Sequence, residues 1–272
     1  MIGRGAALGL WFAASLVWAS VPIIEEGAAR YIHEHEPWRI EPMDVDKVHS
    51  NVRLDTTEHG GANATHPEGW ANPAEHGGSM MDVVGNGFRE PMNVIISGRS
   101  DKSVMSDQGL LDYARSIGFS FECLHLHLGG LQHANLGDGR GYTPQLFEYR
   151  SILYHDSPGA WIGACWESLA GGNHFRVWRQ NGTQANTGAW FLAVSKEKDV
   201  FQDHTITPNG YDVGRDLLVD AATKGGSFNG KSWRASVEWK TGLLSPGRQG
   251  VNHNISLDSR VAILHVYRTD LS

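Results

Sequence analysis

The chain has 272 residues, 40% of them hydrophobic and 19% charged, enough for one domain with a real core and too few for two full ones. Lys plus Arg number 23 against 30 Asp plus Glu, and the formal charge of −7 without a basic stretch excludes a nucleic-acid binder held by phosphate contacts. Two Cys exclude a disulfide-dense miniprotein and a Cys-based zinc finger.

Residues 1–24 carry one positive charge, Arg4, followed by an uncharged run that ends at Glu25 and Glu26. Ala6 to Trp18 has the length of a signal-peptide apolar region, and Val17 and Ala19 supply the small residues before a cut at Ser20. A signal peptide over residues 1–19 and secretion are expected. The alternative is an uncleaved anchor reaching residue 24, with the domain outside; only then does the chain meet a membrane. Sequons at Asn63, Asn181 and Asn254 fit the exported reading; Asn181, in the polar loop QNGTQANTG, is the best of them and is expected to carry glycan. Cys123 and Cys165 are an even pair, and an oxidised bridge would stabilise the fold by about 4 kcal/mol through loop closure. Two buried free thiols are the competing reading.

Residues 20–90 are rich in Gly, Ala, Asn, Pro and His without helical or strand periodicity, and read as an extended arm. The domain proper is expected over 91–272. MNVIIS (92–97) reads as a buried strand, and Ser106 as the cap of a helix through Ile117. FSFECLHLHL is a second strand, so the opening suggests a parallel pair joined by a crossover helix. NLGDGRGYTPQ reads as a surface loop. AWIGACWESL, NHFRVWRQ and GAWFLAVS are strand-like, the last two joined as a hairpin through NGTQANT. DVGRDLLVDAATKGG is a helix with Val213, Leu217 and Ala221 on its apolar stripe, and WRASVEW and RVAILHVY are closing strands. The expected fold class is α/β (α+β): a mixed sheet, two main helices and the irregular arm.

No P-loop, HExxH, GxSxG or dinucleotide fingerprint occurs. His125 and His127 alternate onto one strand face, where they could share a metal; neutral imidazoles suit Zn or Cu. A solvent-facing or hydrogen-bonded pair is the plainer alternative. His174, Arg176 and Trp178 share another strand face. Asp203-His204 and the segment from Tyr211 to Asp216 add a His, several carboxylates and Arg215 near a helix start. Convergence would give His174 or His204 as acid–base groups, Asp212 as the orienting carboxylate, and Arg176 and Arg215 as holders of an anion. The alternative has Asp212 capping the helix, with Arg215 and Asp216 paired on its surface. Trp161, Trp166, Trp178, Trp190, Trp233 and Trp239 are core residues or, less commonly for such positions, a sugar-stacking platform.

The string from GGNHFRVWRQNG to GYDVGRDLLVDAA resembles the LssY-like C-terminal domain, found in bacterial membrane proteins and in a group of secreted fungal proteins. The likeness begins near Pro91 and is densest from Gly171 to Ala222, on His174, Arg176, Trp178, Trp190, His204, Asp212, Arg215 and Asp216. It implies an architecture and a shortlist of positions but no reaction. Two functions are open on the sequence. One is a hydrolase-like domain taking a glycan or a phosphate-bearing small molecule. The other is a non-catalytic glycan- or wall-binding module.

Overall fold

The structure, a computed structural model, describes residues 66–85, 87–121, 131–151 and 169–271, the side chain of Phe121 excepted. The apolar run after Pro91 forms β1 (Val94–Ile96), buried throughout. Ser106 caps α1 (Asp107–Ser116), its hydroxyl accepting from the Gly109 N–H at 3.1 Å in place of a missing helical partner. The chain continues through β2 (Phe119–Phe121), β3 (His133–Asn135), β4 (Tyr142–Pro144), β5 (Phe147–Ser151), β6 (Asn173–Asn181) and β7 (Asn186–Lys196). Then come α2 (Gly210–Lys224), β8 (Gly226–Phe228), β9 (Lys231–Lys240) and β10 (Val261–Arg268).

Eight strands form one mixed sheet, in the order β2-β5-β6-β7-β1-β10-β9-β8, and β3–β4 is a separate hairpin. The expected fold class is thus the observed one: a large mixed sheet with two helices. β6 and β7 make the expected hairpin. The expected parallel pairing of β1 with β2 does not occur. β1 pairs parallel with β10 and antiparallel with β7, and β2 sits on β5, with three strands between it and β1. The reason is burial: β10 is apolar on both faces, as the neighbour of a central strand must be, whereas β2 carries Ser120 on one face.

Register sorts the side chains onto two faces. Phe119, Tyr149, Phe175, Trp190, Leu264 and Trp233 lie on the helix-bearing face. There Phe175 stacks on Tyr149 at 5.0 Å, and Tyr113 of α1 meets Trp233 edge-on at 6.3 Å. The opposite face holds Ile95, Trp178, Phe191 and Ile263, covered by Trp70, Met80 and Leu136. Burying each such side chain contributes about 1.5–3 kcal/mol. The described part of the arm, from His66 onward, therefore supplies core residues to the domain. The Gly-rich stretch expected to be a surface loop is the β3–β4 connection. Its buried Asp138 accepts the N–H groups of Asn181 and Gly182, at 3.2 and 3.0 Å, and so fixes the β6–β7 turn.

Helix α2 buries Tyr211, Gly214, Arg215, Leu218 and Ala222, not the expected stripe, and Leu217 is exposed. Close approach turns it. A Cβ on Gly214 would stand 2.6 Å from the Ser195 carbonyl carbon, so only glycine lets the helix settle on β7. No helix among the described residues is long and apolar enough to cross a membrane.

Candidate functional site

Strand pairing assembles the site. Arg150 stands opposite His174, which stands opposite Ser195; Glu148 stands opposite Arg176 in the next row. Glu197 follows Ser195 by two residues and so shares its face. These side chains lie on the face away from α1 and α2, and His174 is wholly buried.

Arg150 donates to Glu197 Oε2 at 2.5 Å and lies 3.5 Å from Glu148. Arg176 lies 3.5 Å from both Glu148 and Glu90, and its Nη1 is 2.9 Å from His174 Nε2. A guanidinium can only donate, so the Arg176 contact calls for a bare Nε2, whereas Glu197 Oε1, 3.3 Å from the same Nε2, calls for a proton on it; Nδ1 lies 3.3 Å from Ser195 Oγ. Ser195, His174 and Glu197 thus stand in the order of a nucleophile triad, with Arg176 competing with Glu197 for Nε2. Burial, with Arg176 acting in the same sense and Glu197 opposing, pushes the His174 imidazole down to about 4. Burial acts to raise the Glu197 carboxyl, but His174, His204 and Arg150 outweigh it and hold it well below the usual range. At so acid a pH His174 is already cationic, which is why it contributes.

His204 is different. Its Nδ1 lies 3.3 Å from Glu197 Oε2, it is 7% exposed, and neither ring nitrogen completes a hydrogen bond. A strained loop delivers it. Asp199 caps the turn Val200–Gln202 through the Gln202 N–H at 3.1 Å and its side-chain amide at 2.8 Å, and the Asp199 carbonyl accepts the His204 N–H. Asp203 and His204 then both adopt left-handed backbone, at φ 53 and 49, a conformation that costs side-chain-bearing residues about 1 kcal/mol each.

The cluster continues through Glu90, which accepts from Asn252 at 2.9 Å and from the Tyr211 hydroxyl at 3.3 Å. The Glu90 N–H donates to Asp82 Oδ1 at 2.9 Å, while Asp82 Oδ2 is buried without a partner. Burial first, and then Glu90, raises the Asp82 carboxyl well above the ordinary range.

Asp212 and Arg215 do not join this cluster. Arg215 lies over Trp239 on the helix-bearing face and grips Asp258 with both Nη atoms, at 2.6 and 2.8 Å. It is 1% exposed and also contacts Asp212 and Asp216, so it serves as a buried clamp and not as a surface pair. Nor does Asp212 cap α2. The cap is Asn209, with no side-chain bond, and Asp212 receives the Asp258 N–H from inside the first turn. Burial and Asp258 push the Asp212 carboxyl up to about 6. The structure therefore brings His174, Arg176 and His204 together and separates Asp212 and Arg215 from them. Sequence reasoning missed Glu197, Arg150, Glu148, Glu90 and Asp82. The one visible signal was the alternation Glu148-x-Arg150, which pairs with His174-x-Arg176.

Trp178, Trp190 and Trp233 are buried, and their indole N–H groups donate to Thr143 O, Val104 O and Ser103 Oγ. His125, His127, Cys123, Cys165, Asn63, Trp161 and Trp166 lie outside the described residues. Among the described residues no group of three or more His, Cys, Asp or Glu side chains could hold a metal. Comparison with protein-family models, curated proteins and solved structures finds no match to the chain.

Proposed function

We propose that the protein is a hydrolase whose acid–base group is His204, oriented by Glu197, with His174, Arg150 and Arg176 as the frame that fixes Glu197. One observation carries this reading. His204 Nε2 is buried and unpartnered while Nδ1 faces a carboxylate, the arrangement that leaves a lone pair for a proton. In the reaction, His204 takes a proton from water as the water oxygen attacks the substrate's electrophilic centre. It then returns that proton to the leaving atom, so the enzyme ends unchanged. Glu197 stabilises the intervening imidazolium. Trp178, Trp190 and Trp233, three of the six tryptophans in strand-like runs, are buried and offer no stacking face. The LssY-like resemblance and export of the chain belong to the same proposal, and neither supplies a reaction.

The full chain should be screened against chromogenic esters, phosphate esters and glycosides. His204→Ala should lower turnover about a hundredfold or more while the protein stays folded. No hydrolysis of any of these, or undiminished turnover in the variant, overturns the reading.

A further inference from the structure

We propose that the start of α2 is held by an acid-closed latch, the Asp212–Asp258 carboxyl pair, which fastens it to the segment before β10 and releases it as the pH rises. The geometry is one of crowding. Three carboxylates gather on the single guanidinium of Arg215: Asp258 at 2.6 and 2.8 Å, Asp216 at 2.8 Å and Asp212 at 3.4 Å. Asp212 is the worst served of the three. Its Oδ1 shares Nη1 with Asp258, and its other donor, the Asp258 N–H, stands 3.5 Å away. The two carboxyls also lie within hydrogen-bonding reach of each other. Such a pair is joined by one shared proton and pushed apart without it. The remaining neighbours do not offset this. Arg260 sits over the Trp239 ring of β9 at 3.9 Å, and Asn173 of β6 is uncharged. Lys196 of β7 shares the helix-bearing face but makes no ion pair among the described residues.

The latch has a body to move. Asp212 follows Tyr211, which packs with Ile206, Val251 and Leu257 in a small core of its own. Ile206 lies two residues past His204, and Leu257 adjoins Asp258. From this body the Tyr211 hydroxyl and the Asn252 amide both donate to Glu90, at 3.3 and 2.9 Å. One piece of structure thus carries the latch on one side and the Glu90 contacts on the other. Releasing Asp212 loosens the hold on Glu90 and on the turn that bears His204; only this last consequence rests on the reading of His204 as an acid–base group. The sign follows from linkage. A carboxyl raised by closure binds its proton in the closed form, so closure is complete at acid pH and weakens as the pH climbs past the ordinary carboxyl value.

Amide hydrogen exchange on the full chain at pH 5 and pH 7.5, corrected for the intrinsic pH dependence of exchange, tests this. The probes are the Val213 N–H, bonded to Asn209 O, and the Leu257 N–H, bonded to Gly247 O; Ala262, bonded to Asn93 O, reports the central sheet. Val213 and Leu257 should open about tenfold more often at pH 7.5 than at pH 5, the effect of a carboxyl that titrates near 6 when closed and at its ordinary value when released. Ala262 should show no such rise, because His174 favours the folded sheet at the higher pH. In Asp212→Asn, both probes should stay protected at pH 7.5. Equal opening at the two pH values, a rise shared by Ala262, or a rise that persists in Asp212→Asn overturns the proposal. The wild-type contrast between Val213 and Ala262 decides the matter even where the variant fails to fold. Exchange is read without substrate, so the latch stands or falls apart from turnover in His204→Ala.

Discussion

At His174, contacts from Arg176 and Ser195 occupy both ring nitrogens, while at His204 neither nitrogen completes a hydrogen bond and only Nδ1 faces a carboxylate. The pH consequence follows from His174. Its folded-state value near 4 lies below its ordinary 6.5, so between these values the unfolded chain binds more protons than the native one. Stability from this group is complete above about pH 6.5 and falls by about 3 kcal/mol as the pH drops toward 4. Glu197, held low, adds to the loss at still lower pH. Denaturant titrations between pH 7 and 4 should show this slope, and His174→Gln should flatten it. The two buried acids should respond oppositely to amidation. Glu197→Gln takes away the buried carboxylate that Arg150, His174 and His204 all face and should cost about 3 kcal/mol or more. Asp82→Asn should be neutral or stabilising at pH 7, because the raised Asp82 carboxyl loses stability as the pH climbs above its unfolded value. Thermal melts of the two variants compare them directly. His174-x-Arg176 was legible as an alternating strand pair. Glu197 was not, because its role depends on which strand lies beside β6 and in what register, and one strand's own spacing carries neither.

Among the elements, α2 is placed by its small residue and its clamp. Gly214→Ala puts a methyl group against the β7 backbone and should destabilise by about 1–3 kcal/mol, read as a lowered denaturation midpoint. Arg215→Lys keeps the charge but loses the two-pronged grip on Asp258, and should destabilise by a similar amount. Asp212→Asn should raise the melting temperature at pH 7. The carboxyl of Asp212 titrates near 6 in the native state, above its unfolded value, so its stability contribution is lost as the pH rises between the two. The α1 cap, the hairpin and both helices could be read locally, since each is set by residues within a few positions. The α2 stripe and the partner of β1 could not, because a glycine contact and a strand from the far end of the chain decide them.

Across the whole molecule the sheet divides its labour: helices and aromatic rings on one face, and on the other an apolar patch beside a charged one. The sequons are sorted by the same architecture. Asn181 ends β6 half-buried with its amide oxygen inside, whereas Asn254 stands exposed in a left-handed turn. In a secreted preparation, peptide mapping after glycosidase treatment should find fuller occupancy at Asn254 than at Asn181.

The parallel pairing of β1 with β10 has a temporal consequence. The strand that opens the domain finds one of its two neighbours only far along the chain, in Val261–Arg268. Until those residues are available, Val94, Ile95 and Ile96 have one open flank and the sheet centre cannot close. The central sheet is therefore unable to close in step with synthesis until Val261–Arg268 have emerged. The pairing also means that trimming the chain before Val261 forfeits the whole domain and not merely its edge.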